Sequence, residues 1–217
     1  VNLLQGMPFA SLPVLIPYSL CFFSAVLAMK TKEIAFTLPF VITLYEFMFL
    51  RGKTGTRILL LIPVMLTLCI IPFSLFEVAK RIAADNAVAV RDLEDATKLK
   101  TLLSREDYFF TQCRVVVTYI RLIFFPIRQS IDYDYPIYHS LSEPPVFLSS
   151  LFLLLIAFLG FYLFVWRGKE SIRAKLISFG IFWFFITMTV ESGIIPITDV
   201  LVEHRVYLPS AGAFIAL

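Results

Sequence analysis

The chain has 217 residues, of which 59% are hydrophobic and 16% charged, and a mean hydropathy of +0.85. Soluble globular domains carry about 25% charged residues without such an apolar excess, so a soluble globular protein is excluded and a membrane protein expected. The formal net charge is only +3, with basic residues in short clusters between apolar runs, which argues against a nucleic-acid partner and for membrane topology.

Taken in chain order, the apolar runs define the expected elements. A spanning helix needs about 20 mainly apolar residues, because the hydrocarbon core is about 30 Å thick and a helix rises about 1.5 Å per residue. Residues 7–29, 34–50, 58–76, 146–166 and 176–190 approach that length, and a sixth run starts near Val206 (206–217). The expected fold is all-α, a polytopic membrane helix bundle of about five to six transmembrane helices. The first run contains Pro8, Pro13 and Pro17, so its early part is expected to be broken, with regular helix from Tyr18. The chain starts at Val1 and stops within an apolar run, AGAFIAL, and is therefore expected to be a piece of a longer polypeptide. Cys21, Cys69 and Cys113 are dispersed and suggest neither a disulfide framework nor a metal cluster.

Orientation follows from basic residues in short loops. RGKTGTR (51–57) and RGKESIRAK (167–175) should lie on the cytoplasmic side. Alternation then puts KTKE (30–33), the segment 77–145 and the loop 191–205 on the extracytoplasmic side. Within 77–145, residues 108–127 are long enough to span. Arg114, Thr118 and Arg121, however, form one polar stripe at i, i+4, i+7, and each arginine at the bilayer centre would cost about 2.5 to 3.5 kcal/mol. An amphipathic helix in the outer interface, or tucked against the bundle, is expected there instead. Residues 77–107 mix both charge signs and should form exposed helix and loop. There is no internal repeat and no low-complexity tract.

Three polar groups on the outer face stand out. Lys32 and Glu33 share a very short turn, which is either an interfacial turn with snorkelling side chains or part of a site. In SIDYDYP, Pro136 disfavours helix at Tyr135, so an extended chain should send Asp132 and Asp134 one way and Tyr133 and Tyr135 the other. Such a carboxylate pair is either solvated or able to hold a divalent cation or a hydroxylated ligand. In VEHRVYLPSAG (202–212), with Glu191, Ser192 and Asp199 upstream, Pro209 suits the first turn of a helix starting near Leu208. Glu203, His204 and Arg205 then stand just before a helix N-terminus. That end favours anions, so Arg205 requires an anionic partner: either Glu203, or a phosphate held jointly by the guanidinium, His204 and backbone N–H groups.

The blocks KEIAFTLPFVITLYE (32–46), TYIRLIFFPIRQSIDYDYP (118–136) and ESGIIPITDVLVEHRVYLPSAG (191–212) resemble the membrane portion of the transmembrane-and-tetratricopeptide O-mannosyltransferase-like proteins and their bacterial relatives. The resemblance implies a membrane glycosyltransferase that moves a mannose-like hexose from a polyprenyl or dolichyl phosphate donor to a protein or glycan hydroxyl. The active face would be extracytoplasmic, in a bacterial plasma membrane or an ER membrane. Such a transfer needs a carboxylate base, cations for the departing lipid phosphate, and an apolar groove for the isoprenoid tail. Arg205, His204 and Lys32 suit the phosphate, and Glu33, Asp132, Asp134, Glu191 and Glu203 the sugar, the cations or a divalent metal. The family's acidic catalytic motif, and with it the principal base, is expected upstream of Val1, so the chain alone should be inactive. A tetratricopeptide array would follow the last span. The 23 phenylalanines are more often lipid-facing and packing groups than a tail groove. The competing readings are a lipid-linked glycan ligase or polymerase, and a transporter or flippase of lipid-linked sugars. The latter would show inverted repeats and charges at mid-membrane depth.

Overall fold

The computed structural model describes residues 12–50, 52, 54–74, 76, 80, 104–127, 129–130, 133–168, 171–192 and 200–217, and all regular structure among them is helical. Two compact units form, Val1–Arg81 and Ile82–Leu217.

In the first unit, α1 (Leu12–Thr31) leads through a 3-10 turn (Glu33–Thr37) into α2 (Leu38–Phe49) and then α3 (Thr54–Leu66), which a 3-10 turn (Thr67–Cys69) and a further helical stretch carry to Ser74. Helix α1 does not wait for Tyr18. It is already helical at Leu12 and runs through Pro17, which sacrifices a single ladder bond. Tyr18 hydrogen-bonds across to the Leu60 carbonyl at 2.8 Å, while Leu20, Phe23 and Leu27 form an exposed apolar stripe on α1. Near the 51–57 loop, Arg57 pairs with Glu46 at 3.0 Å, donates to the Glu46 carbonyl, and stacks over the Phe47 ring at 4.7 Å. This one guanidinium therefore ties α3 to the end of α2. Helix α2 has only 12 residues, about 18 Å of rise, which is short of a bilayer by itself.

The second unit contains α4 (Arg105–Phe124), α5 (Pro144–Tyr162) continued by a π-helical turn (Leu163–Arg167), α6 (Ile172–Glu191), a 3-10 turn (Glu203–Val206) and α7 (Tyr207–Ile215). Helix α4 begins and ends earlier than the apolar pattern of 108–127 suggests. Ser104 caps it by accepting from the Asp107 N–H at 3.0 Å, and Glu106 and Asp107 complement the helix dipole. At the other end, Pro126 pushes Phe125 out of the helical region. Helix α6 likewise starts before residue 176, capped by Ser171, so Arg173 and Lys175 belong to its first turn rather than to the loop.

Helix α6 is the spine of this unit. On one side Ser178 donates to the Gly160 carbonyl of α5 at 2.7 Å. On the other it meets α7 backbone to backbone. A Cβ at Gly212 would stand 2.6 Å from the Gly180 carbonyl oxygen and 2.8 Å from the Phe184 nitrogen, so only glycine permits this approach. Trp183 closes the crossing by donating to the Leu208 carbonyl at 3.0 Å. Small residues at a close crossing are how helices pack where lipid provides no hydrophobic drive.

Among the described residues, three helical stretches are long and apolar enough to cross a membrane: Arg57–Ser74, Pro144–Arg167 and Ile172–Val190. Only 17% of Pro144–Arg167 is buried, and its outward residues include Leu148, Leu151, Leu155 and Phe158. An apolar surface of that kind belongs in hydrocarbon, not water.

Candidate functional site

Helix α4 organises the site because its buried face is both apolar and hydrogen-bonding. Tyr108, Thr111, Gln112, Val115, Thr118, Tyr119 and Leu122 recur at helical spacing, and all are buried. Val115, Val116, Tyr119 and Leu122 pack against Phe184 and Met188 of α6 and against Leu201 and Val206. The polar members of the same face hold two strips of chain that lie outside the α-helices.

The first strip is 200–206. Gln112 Nε2 donates to the Val200 carbonyl at 3.0 Å. The Tyr119 hydroxyl donates to the Val202 carbonyl at 3.1 Å and accepts from the Val202 N–H at 2.9 Å, so one phenol satisfies both backbone groups of Val202. The second strip is 133–140. Tyr135 meets Thr118 at 3.0 Å, and the Tyr138 N–H donates to Thr111 Oγ1 at 3.0 Å. His139 Nδ1 lies 3.0 Å from Asp107, and Glu143 accepts from the N–H groups of His139 and Ser140.

The two strips also meet each other. Tyr133 donates to Glu203 Oε1, which accepts from the Ser130 N–H at 3.1 Å as well. The carboxylate of EHRV is thus engaged by the SIDYDYP loop, and not only available to Arg205. Burial and the bond to Glu203 push the Tyr133 phenol above its ordinary value of 10.0, and the Arg121 guanidinium acts in the opposite direction. Burial raises Tyr135 in the same way, against Thr118, Arg114 and Arg121.

The three neighbours Glu203, His204 and Arg205 have separate environments. Glu203 is half-buried, His204 is exposed, and Arg205 is buried, with its guanidinium within hydrogen-bonding reach of Tyr119. They form the 3-10 turn that leads into α7, with the Arg205 N–H bonded to the Val202 carbonyl at 3.2 Å. Successive residues of a tight turn point in different directions, so the imidazole and the guanidinium diverge. Around them Arg121 is exposed and Arg114 half-buried. The chemistry of the cluster is cationic, with one carboxylate already committed to hydrogen bonds.

No protein-family model, curated protein or solved structure matches this chain.

The remaining expected site residues fall elsewhere. Lys32 and Glu33 belong to the first unit, where both are exposed beside a pocket of about 350 Å³ that Lys30, Ile71 and Ser74 also line. Asp134 is exposed between the two inward tyrosines, as alternation along an extended chain requires. Asp132, Asp199 and the side chain of Glu191 lie outside the described residues. Among the described residues no group of three His, Cys, Asp or Glu side chains gathers to hold a metal ion.

Sequence reasoning missed Tyr119, Gln112, Thr111 and Tyr133 as organisers of the site. It also treated Arg114 and Arg121 as a membrane-depth question rather than as the cations facing the tyrosine loop. The spacing of 108, 111, 112, 115, 119 and 122 was a usable signal, but Tyr, Thr and Gln do not announce themselves as a buried face.

Proposed function

We propose that this chain is the membrane part of a multi-pass glycosyltransferase of the transmembrane-and-tetratricopeptide O-mannosyltransferase-like type, with about five to six spans. It takes a mannose-like hexose from a polyprenyl or dolichyl phosphate and acts on the extracytoplasmic face, where the loop 77–145 lies. The observation that carries the reading is the meeting of two of the resembling blocks. Residues 118–136 and 191–212, far apart in sequence, converge through Tyr119 with Val202 and Tyr133 with Glu203. They do so at the N-terminal end of α7, in a neighbourhood rich in guanidinium groups.

A departing lipid phosphate requires positive charge that is already in position. In this reading His204 and Arg121, both exposed, touch the phosphate, while Arg205 adds its charge from beneath, where low dielectric strengthens it. Glu203, with Oε1 occupied by Tyr133 and Ser130, orients the turn rather than serving as base. Asp134 and Asp132 would contact the sugar or a divalent ion, and Glu191 would support the cations. The acceptor is a protein or glycan hydroxyl.

The test uses the full-length protein in membranes with a purified lipid-phosphate hexose. Arg205→Ala should abolish transfer, Arg205→Lys should keep part of it, and both should remain inserted and expressed. Undiminished turnover by Arg205→Ala refutes the phosphate role.

A further inference from the structure

A cavity of about 490 Å³ lies between α4, α5 and α6, within the range of about 300 to 1,000 Å³ usual for small-ligand sites. Its walls are apolar, with Val116, Leu153, Leu154 and Phe185 among them. Gln112, Ser150 and Ser192 also line it, and Gln112 Oε1, Ser150 Oγ and Ser192 Oγ are each buried with no hydrogen-bond partner among the described residues. Three buried unpartnered oxygens around one cavity are unusual, because each pays desolvation unless a ligand group meets it. The Gln112 amide is not free to turn over. Its Nε2 is held by the Val200 carbonyl, and a flip would set two oxygens against each other, so Oε1 stays an acceptor.

The chemistry of an occupant follows from this inventory. No charged side chain lines the cavity among the described residues, so a phosphate or ammonium would lose its hydration with no counter-charge in return. One acceptor and two serine hydroxyls match a single ligand hydroxyl, which has one proton to give and two lone pairs to fill. Leu154 is 67% exposed and belongs to the apolar outer face of Pro144–Arg167. The cavity therefore opens sideways, toward the side from which a hydrocarbon chain would arrive.

We propose that this cavity binds the hydroxyl end of a neutral long-chain alcohol, prenyl or alkyl, whose O–H donates to Gln112 Oε1 and accepts from Ser150 and Ser192. The chain lies against Leu153 and Leu154 and leaves the cavity into the bilayer. This site is separate from the phosphate-binding cluster and does not depend on it.

The experiment places the full-length protein in nanodiscs with a long-chain alcohol carrying a diazirine on its chain. Light should attach it within residues 109–116 and 150–157. Unlabelled alcohol should compete, and the methyl ether of the same chain, which has no proton to donate, should compete roughly tenfold less well. The alkyl phosphate should be no better than the ether. Ala157→Phe, which fills the cavity from α5, should remove the labelling, and Arg205→Ala should leave it intact. Equal competition by alcohol and ether, stronger competition by the phosphate, or labelling that maps elsewhere overturns the proposal. The competition series needs only the unaltered protein, so it decides the matter even if Ala157→Phe fails to fold.

Discussion

Tyr119→Phe removes one oxygen from the centre of the second unit and leaves the ring in place. That oxygen satisfies both backbone groups of Val202, at 3.1 Å and 2.9 Å, and Tyr119 is fully buried. Each bond contributes about 0.5 to 1.5 kcal/mol net, so losing the pair should cost about 2 kcal/mol, more if water cannot reach Val202 afterwards. For a chain of this size that corresponds to a fall in Tm of about 4 to 8 °C. The loss should also reach the site, because Val202 is the last residue before the turn that carries Glu203 and Arg205. Thermal unfolding of the full-length protein in detergent, alongside transfer from a lipid-phosphate hexose, reads both effects. Arg205→Lys combined with Tyr119→Phe should cost less than the sum of the two, since they share the Arg205–Tyr119 contact. A Tm indistinguishable from that of the unaltered protein would show that the phenol does not hold the 200–206 strip, and the reasoning would fail.

Three further outcomes are expected. Gly212→Ala forces a Cβ to 2.6 Å from the Gly180 carbonyl oxygen and should cost about 1 to 3 kcal/mol, measured by the same unfolding assay. Gly55→Ala, where nothing lies within 4 Å, should be neutral or slightly stabilising. The Tyr133 phenol is raised above 10.0, so the folded state favours its neutral form. The stability from Tyr133 is fully present below pH 10 and is lost as pH rises beyond it; Tyr133→Phe should flatten that alkaline decline, and an unchanged alkaline limb would count against the Tyr133–Glu203 contact. In intact cells, a cysteine at Asp134 should react with an impermeant maleimide and a cysteine at Thr54 should not. The reverse pattern would invert the proposed topology.

The helical, membrane-type character was legible because it rests on composition and run length. The stretches 58–76, 146–166 and 176–190 each correspond to a helix long and apolar enough to cross a bilayer. Boundaries were less legible. Ser104 and Ser171 start α4 and α6 earlier than hydropathy suggests, since a cap is a local hydrogen bond that apolar pattern does not register. The alternation of Asp134 and the two tyrosines was readable from Pro136 and strand geometry alone.

What the sequence determined by itself is whatever depends on neighbours along the chain: apolar length, the amphipathic character of the α4 region, and the placing of EHR before a helix start. Tertiary structure alone decided which polar side chains are buried and what they hold. Tyr119 and Gln112 pin Val202 and Val200 across more than 80 positions, Tyr133 engages the Glu203 that stood ready for Arg205, and Gly180 and Gly212 let two backbones touch. Such pairings come from the spatial closeness of distant segments, and a one-dimensional pattern carries the capacity to hydrogen-bond but not the identity of the partner.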